Sequence, residues 1–331
     1  MIKKEYILQN PGILTLNSEE LFLEENTDRY YCQTLYTAIS SGTEVAAYYG
    51  EKPLRASGGY PRKLGYLNLS QVVSAPIKGG KYKVGDLVLT NESHCDRFFC
   101  TDIQILASIP DSNKIEAYLF SYIYHMAYST IFGYQVIPQT GLKNVGIIGN
   151  GLISQAIVEI CLDRNIQCVL VSEHDSVLVN SNIVGKLTKL CRGELGQENY
   201  SNYSVVVVCT NDWKDYEIAL RLVDKGGCIV LLGFPGRNDE KPSFNPFEPN
   251  LFYVKNIKVA SLPITRLDLE NPEENWLSPN DSVAKIVSLI NSGRLGEISR
   301  QLPTISYTEL GDAYENLKNG LNRPLSYVLK W

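Results

Sequence analysis

The sequence predicts an α/β chain that combines a small all-β unit with a doubly wound parallel sheet. Residues 1 to about 115 hold short apolar runs separated by turn signals such as "GGYP" and "IPDSN", which is typical of a partly open barrel. From about residue 116, apolar strands alternate with helical stripes, and this pattern predicts a parallel sheet covered by helices. After about residue 262 only two helices and two short strands follow. We expect this tail to complete the first unit.

Composition and charge narrow the class of protein. The chain has 331 residues, enough for two cores, with 44% hydrophobic residues and a net charge of -5. This balance, with no basic stripe, argues against a nucleic-acid partner. "MIKKEYILQN" lacks a signal-peptide core, and no apolar run approaches the ~20 residues that span a bilayer. Eight scattered cysteines suggest buried thiols, so we expect a cytoplasmic protein with no membrane partner.

The segment "NVGIIGNGLISQAIVEICLDRNIQCVLVSEHD" carries the clearest chemistry. A buried strand leads into a glycine turn, a helix and a second strand that ends at Glu173, which is the pattern of a dinucleotide site. Gly149 would make the tight turn, and Gly151 would let the backbone approach a pyrophosphate at the helix start. Ser154 replaces the third glycine of the fingerprint. The helix is predicted from an apolar stripe formed by Leu152, Ile153, Ala156, Ile157, Ile160 and Cys161.

The same segment favours NAD over NADP. Glu173 is placed to accept hydrogen bonds from the adenosine ribose hydroxyls, and its carboxylate would repel a 2′-phosphate. The adjacent "HD" offers no arginine for that phosphate, although His174 could contact it. Leu152 and Ile153 at the helix start complete the predicted cofactor set with Thr210 in "VVVVCTND" and Gly233 in "VLLGFPG".

Together with "VGDLVL", "DKGGCIVLLG" and "NIKVASLP", this order of units resembles the medium-chain dehydrogenase/reductase superfamily, which includes the zinc alcohol dehydrogenases. The resemblance covers essentially the whole chain. It implies a GroES-like catalytic domain of residues 1–118 and 263–331, and a Rossmann NAD(P)-binding domain of residues 119–262. The segment "NLFYVKNIKVASLP" is itself predicted to form paired strands, and the resemblance places it at the edge of the nucleotide sheet. Two subunits would pair their sheets there, so we expect a homodimer.

Zinc is not expected. Zinc-dependent members carry Cys-Gly-Thr-Asp where this chain has "SGTE", with Ser41 in place of the cysteine ligand. Tyr66 stands where the Gly-His-Glu histidine would be. A third ligand would fall within 122–125, a window that contains His125. Hydroxyl groups do not compete with thiolate and imidazole for zinc, and a catalytic zinc needs three protein ligands. The resemblance therefore indicates a branch that lacks zinc.

Without a metal, hydrogen-bond donors must stabilise the substrate oxygen. The resemblance assigns this contact to Thr43, and it points the phenol of Tyr66 at the vacated metal position. His125 is a proposed proton carrier near neutral pH, and Ser41 and Glu44 would belong to the same wall. Each residue also has a purely structural interpretation. Thr43 could cap a helix, Glu44 could satisfy backbone donors, and the two aromatic rings could be packing residues.

Two further residues, His94 and Cys95, lie at a turn of the β-rich unit and are weaker candidates for the same cleft. We expect a zinc-independent oxidoreductase that interconverts a secondary alcohol and a ketone on a small polar or sugar-like metabolite, in a biosynthetic role. One alternative is an NAD(P)H-dependent reductase of enoyl or quinone-type double bonds. Another is a weakly catalytic nucleotide-binding derivative with a structural or regulatory role, because fold alone does not determine function.

Overall fold

A computed structural model describes residues 1–22, 28–54, 59–110, 113–133, 141–173, 186–261, 279–320 and 323–331. The chain divides into two compact units. The first unit joins Met1–Tyr122 to Pro279–Trp331, and the second is Ile123–Ser278. The first boundary therefore falls shortly after the expected 118/119. The expected boundary at 262/263 lies outside the described residues, as does His174.

The amino-terminal part of the first unit is mainly antiparallel sheet. Its elements are β1 (Ile2–Asn10), β2 (Ile13–Glu20), β3 (Tyr30–Ala38), α1 (Ser41–Tyr48), β4 (Arg62–Lys63), β5 (Leu67–Ser74), β6 (Leu87–Thr90), β7 (Arg97–Cys100), β8 (Ile105–Ile109) and α2 (Ile115–Leu119). Strands β2, β1 and β4 form one small sheet, and β3, β5, β6 and β8 are successive neighbours in a second one, with β7 paired to β3. The run "DRFFCTDIQILASIP" therefore forms two strands, β7 and β8, because a short 3-10 turn at Asp102–Gln104 interrupts it.

The second unit alternates helices and strands as predicted. Its elements are α3 (Ser121–Phe132, which starts two residues before the unit), β9 (Asn144–Ile148), α4 (Leu152–Asp163), β10 (Gln167–Val171), β11 (Leu187–Leu190), β12 (Tyr203–Val208), α5 (Trp213–Leu222), β13 (Val223–Leu231) and β14 (Lys258–Ser261). All six strands run parallel in the order β11-β10-β9-β12-β13-β14. The first strand of this sheet, β9, thus lies in its middle, and later strands are added on both sides of it. The strand order reverses between β9 and β12, which is where such sheets bind ligands at their carboxyl ends.

The expectation of paired strands over "NLFYVKNIKVASLP" is wrong. In its described part, residues 250–256 form turns, and Lys258–Ser261 is a strand parallel to β13. The carboxylate of Glu248 accepts the backbone N–H of Leu251 at 2.8 Å and so closes one turn. The ammonium of Lys255 donates to the carbonyls of Leu220 and Val223, both at 2.8 Å. These contacts satisfy polar groups at the end of α5 that would otherwise lack partners.

The carboxyl-terminal tail returns to the first unit. It consists of α6 (Pro279–Asn291), β15 (Thr304–Ser306), α7 (Leu310–Asn319) and β16 (Val328–Lys330). Strand β16 pairs antiparallel with β3 and parallel with β15, so the tail extends the sheet of the first unit. Helix α7 buries Leu310, Tyr314 and Leu317 in a core shared with Val45 and Tyr48 of α1. This packing fixes the position of α1, where the "SGTE" residues lie.

Two expectations about the whole chain can be compared with the structure. None of the helices in the described ranges is both long and apolar enough to cross a membrane. The eight cysteines all lie in the described part of the chain, where no disulfide bond joins them, and six of them are buried.

Candidate active site

The glycine turn of the second unit has the geometry that the dinucleotide pattern requires. Gly149 follows β9 with φ +105°, a conformation that side chains other than glycine rarely adopt. Its N–H donates to the Val171 carbonyl at 2.9 Å, which holds the turn against β10. Gly151 is the N-cap of α4, and a Cβ built on it would meet nothing within 4 Å. The backbone at the start of α4 therefore faces open space.

Leu152 and Ile153 are the first two residues of α4, so their N–H groups belong to the helix end that has no intrahelical acceptors. Such an end attracts anions because its N–H groups and the helix dipole favour negative charge. Ser154 is fully buried, as expected for a small residue where helix and sheet meet closely. The donor set and the open backbone fit the pyrophosphate of a dinucleotide.

Thr210 and Gly233 meet the same turn from the neighbouring strand ends. A Cβ on Gly149 would lie 2.8 Å from Thr210 Cγ2, and one on Gly233 would lie 1.8 Å from the Thr210 carbonyl oxygen. Both contacts exclude a side chain at the glycine. The predicted cofactor residues of β9, β12 and β13 therefore converge at one edge of the sheet.

Glu173 reaches this edge through a contact that the sequence does not reveal. Its Oε1 accepts the backbone N–H of Arg192 at 3.1 Å, where the chain leaves β11. The Arg192 guanidinium binds Asp215 with two hydrogen bonds, Nε to Oδ1 and Nη2 to Oδ2, each of 2.8 Å. Asp215 also accepts the Thr210 hydroxyl at 2.6 Å. One polar network thus runs from Glu173 through Arg192 and Asp215 to Thr210.

The ion pair in this network is asymmetric. The Asp215 side chain is 0% exposed, whereas that of Arg192 is 38% exposed. The hydrogen bonds and charge of Asp215 raise the pKa of Arg192, with burial acting in the opposite direction. Asp212 lies farther from the guanidinium, at 3.6 Å. Asp215 is therefore the main anchor of this arginine.

In the first unit, the "SGTE" residues open helix α1. Ser40 is the N-cap, and its backbone N–H donates to Glu44 Oε1 at 2.7 Å. The Ser40 hydroxyl makes no cap hydrogen bond and instead contacts the Tyr66 hydroxyl. Tyr66 packs edge-on against the ring of Tyr122, with 5.8 Å between centroids. The structure therefore brings two hydroxyl groups, Ser40 and Tyr66, together beside the start of α1.

Glu44 faces inward from α1 and has three partners. Besides Ser40, its Oε2 lies 2.8 Å from His94 Nε2 and accepts the Tyr314 hydroxyl at 2.7 Å. Burial, followed by the charge of Glu44, raises the pKa of Tyr314 well above its ordinary value. Both oxygens of Glu44 are thus engaged by the protein. The interpretation of Glu44 as a satisfied structural acid accounts for these contacts, and a catalytic role for Glu44 stays a prediction.

Behind Glu44, His94 is held at both ring nitrogens. Its Nδ1 lies 2.8 Å from Thr37 Oγ1, which also accepts the Trp331 indole N–H at 2.9 Å. One assignment uses each proton once: the Thr37 hydroxyl donates to Nδ1, and the ring donates its Nε2–H to Glu44. His94 and Cys95 are both 0% exposed, so the expectation that they line an open cleft is wrong. The two residues that hold the His94 ring in place, Thr37 and Glu44, are distant from it in the chain.

Ser41 and Thr43 occupy the first turn of α1, and both are half-buried. The backbone N–H of Thr43 donates to the Ser40 carbonyl at 3.0 Å. Because Ser40 is the N-cap, the role of helix cap does not fall to Thr43. A substrate contact for Ser41 and Thr43 stays a prediction.

His125 lies in α3 and is 7% exposed. Burial lowers its pKa from 6.5 to about 4, so the imidazole is uncharged at neutral pH. This disfavours the expectation of a proton carrier that titrates near pH 7. A neutral hydrogen-bonding role stays open to test.

The donor chemistry does not fit a catalytic zinc. At the two positions of the first unit that the resemblance assigns to zinc ligands, the chain carries the hydroxyls of Ser41 and Tyr66. In the described ranges, one group of side chains could converge on a metal: Glu5, Glu92 and Cys95. Two lysines already contact this group, with Lys3 Nζ 3.0 Å and Lys63 Nζ 2.9 Å from the Glu5 carboxylate. Burial raises the pKa of Cys95 to about 12, which disfavours the thiolate that zinc needs.

Solved structures with the same architecture were found, although no protein-family model and no curated protein matches the chain. Galactitol-1-phosphate dehydrogenase from Escherichia coli superposes with a TM-score of 0.79, at 12% identity over 99% of this chain and 100% of that one. The chain has the fold of the medium-chain dehydrogenases. The expected pairing of a GroES-like unit with a Rossmann unit is confirmed.

Two more of these structures carry nicotinamide cofactors. A protein described as a short chain alcohol dehydrogenase from E. coli CFT073, complexed with NADH, has a TM-score of 0.77 and 12% identity over 100% of this chain and 99% of that chain. A putative zinc-binding dehydrogenase from Sinorhizobium meliloti 1021, bound to NADP, has a TM-score of 0.73 and 16% identity over the whole of both chains. At these identities the likeness concerns the fold.

Proposed function

We propose that this protein is an NAD(P)-dependent dehydrogenase that interconverts a secondary alcohol and a ketone on a small polar or sugar-like metabolite, without zinc. The observation that carries the proposal is the contact between the Ser40 and Tyr66 hydroxyls at the start of α1. The resemblance places Tyr66 where zinc-dependent members hold a metal ligand, so a hydroxyl donor would replace the metal there. The glycine turn and helix start of the second unit would hold the dinucleotide.

On the nucleotide side, Gly149 and Gly151 would leave room for the pyrophosphate, and the start of α4 would donate N–H groups to it. Glu173, held by the Arg192 backbone, would accept the ribose hydroxyls. The cofactor, when bound, supplies the hydride acceptor or donor. We favour NAD over NADP because of the Glu173 charge.

On the substrate side, oxidation of an alcohol requires a group that takes up or stabilises the hydroxyl proton, and reduction requires a donor to the carbonyl oxygen. Tyr66 would be that group, since its phenol can donate and accept. Ser40, fixed through its backbone by Glu44, would orient the phenol. Thr43, one turn along the same helix start, would add a second hydroxyl to the substrate oxygen.

The substrate class rests on the proteins that share the fold. Two of them are, by name, galactitol-1-phosphate dehydrogenase and 2R,3R-butanediol dehydrogenase. Both names describe small polyhydroxylated substrates, which motivates the proposal of a secondary alcohol on a sugar-like molecule. We further propose a cytoplasmic location, a biosynthetic role and a homodimer.

The test combines binding, metal content and activity. Isothermal titration should show that NADH binds the purified protein. Elemental analysis without chelator should find no stoichiometric zinc. Activity against a panel of small polyols and their phosphates should survive EDTA. One zinc per chain would overturn the metal-free proposal, and the ligands to test would then be His94, Cys95 and His125. No binding of either NADH or NADPH would overturn the dehydrogenase itself.

A further inference from the structure

Arg192 contacts two residues, Glu173 through its backbone and Asp215 through its side chain. Its backbone N–H donates to Glu173, the residue expected at the adenosine 2′ position, while its guanidinium turns to Asp215. The protein therefore has an arginine beside the 2′ position whose charge is directed elsewhere. No arginine is adjacent to Glu173 in the sequence, because Arg192 lies just after the following strand, β11.

We propose that Asp215 sets the cofactor preference of the nucleotide site by holding the Arg192 guanidinium away from a 2′-phosphate. The inference rests on the proposed dehydrogenase function and names a specificity-determining pair within it. Arginine is well suited to bind phosphate, because its planar guanidinium forms paired hydrogen bonds. With Asp215 in place, only the backbone of Arg192 serves the 2′ side, where it orients Glu173. The network then favours NADH twice, by presenting a carboxylate and by withholding a cation.

The geometry makes Asp215 a firm anchor. Its carboxylate is fully buried, receives two hydrogen bonds from Arg192 and accepts a third from Thr210. A buried carboxylate is costly to leave unpaired, so the guanidinium is strongly retained. Release of the arginine therefore requires a change at Asp215.

If Asp215 no longer bound it, the Arg192 guanidinium would be able to reach the 2′ side of the nucleotide site. Its side chain is 38% exposed, so it borders solvent. Its backbone N–H donates directly to Glu173. An extended arginine side chain reaches well beyond the N–H of its own residue. Asp212, at 3.6 Å and with 36% of its side chain exposed, is a weaker competitor for the guanidinium.

The experiment measures NADH and NADPH dissociation constants by isothermal titration in a set of variants. Glu173→Ala removes the carboxylate, and we expect a shift toward NADPH of a few fold. Asp215→Asn in that background keeps the shape of the anchor but not its charge. We expect a further shift of about tenfold or more, the scale of one charge-assisted phosphate contact. Adding Arg192→Ala should abolish the second shift. Asp212→Asn is the matched control and should change the ratio less than twofold.

The outcomes distinguish a failure of the Asp215 inference from a failure of the dehydrogenase proposal. If wild type binds NADH but Asp215→Asn leaves the NADPH/NADH ratio of Glu173→Ala unchanged, the Asp215 inference is wrong and the dehydrogenase proposal stands. If wild type binds neither cofactor, the dehydrogenase proposal fails first. Should Asp215→Asn not fold, Arg192→Gln in the Glu173→Ala background tests whether Arg192 contacts the phosphate while Asp215 is present. An amide can still bond Asp215, and a withheld arginine predicts unchanged NADPH affinity. Loss of NADPH affinity there would show that Arg192 already contacts the phosphate, which contradicts the inference.

Discussion

Glu44 Oε2 and His94 Nε2 lie 2.8 Å apart, with side chains 2% and 0% exposed. The pair links the first helix of the chain to a loop of the β-rich unit 50 residues later. Glu44 also fixes the backbone of Ser40, whose hydroxyl contacts Tyr66. The Glu44–His94 pair thus helps to fix the position of Ser40 and, through it, of Tyr66 in the proposed active site.

Glu44→Gln should destabilise the protein markedly. Glutamine keeps one oxygen but replaces the other by an NH2 donor, so at least one buried donor that Glu44 accepts would lose its acceptor. We expect a cost of about 3 kcal/mol. Urea unfolding of both proteins measures the difference. Asp28→Asn provides the control, because its 3.0 Å pair with Lys78 is exposed on both sides and should contribute less than about 1 kcal/mol. Equal losses in the two variants would mean that the buried pair does not stabilise the fold.

The second unit could be predicted from the sequence because the patterns that predict its elements are local. The strand, turn, helix and terminal acid of "NVGIIGNGLIS…LVSE" are contiguous, and each has its own periodicity. The positive φ of Gly149 and the open side of Gly151 follow from that order. The same locality explains why the tail elements α6 and α7 could be predicted.

The polar networks could not be predicted, because they join residues far apart in the chain. His94 meets Glu44, and Arg192 meets Asp215, only through strand pairing and helix packing. Alternating apolar residues predict that strands exist but not which strands are neighbours. The apolar content of "NLFYVKN" predicts a strand, whereas side-chain contacts from Glu248 and Lys255 hold it in turns. The resemblance points to Ser41 and not to its neighbour Ser40, whose hydroxyl contacts Tyr66.

His125 should make stability depend on pH below neutrality. Burial lowers its pKa from 6.5 to about 4, so the unfolded chain binds a proton between these values while the folded chain does not. Stability should therefore fall as pH falls from 6.5 toward 4, by about 1.4 kcal/mol per pH unit from this group. Urea unfolding of wild type and His125→Gln at several pH values isolates the term. Carboxyl groups titrate in both proteins and cancel in the difference.

The offset between those two proteins at pH 8 reports the packing cost of the substitution, since the imidazole is neutral in both states there. The slope of the difference below pH 6.5 reports the titration. A flat difference down to pH 4 would show that His125 charges normally in the folded protein. His125 would then again be a candidate proton carrier for the proposed reaction.

Tyr66→Phe and Thr43→Ala should each lower the turnover number by about 10²-fold, the scale for loss of one general acid or oxyanion donor. NADH affinity, measured by titration, should barely change, because both residues belong to the proposed substrate side. Tyr31→Phe is the matched control, since Tyr31 is a buried tyrosine of β3 that packs on Phe99. Full activity in both variants would mean that the start of α1 is a structural turn rather than an active-site wall.

Strand β14 should form the contact between two subunits. It is the last strand of the described parallel sheet, paired with β13, and Val259 on it is 40% exposed. The preceding turns expose Tyr253 and Val254, at 82% and 61%. No other strand of the described residues pairs with the outer side of β14, and such an edge with apolar neighbours is a template for pairing with a second copy. We expect light scattering at micromolar concentration to report twice the monomer mass of 37.1 kDa.

Val259→Asp tests that contact directly. Two copies of the same charge would face each other near a two-fold axis, which opposes strand pairing and should shift the equilibrium toward monomer. Val84→Asp, an exposed valine of the first unit at 65%, is the control and should leave the mass unchanged. A monomeric wild type would rule out the dimer. A dimer that Val259→Asp leaves intact would place the interface elsewhere on the molecule, because a carboxylate buried without a partner on each side of a paired edge is strongly unfavourable.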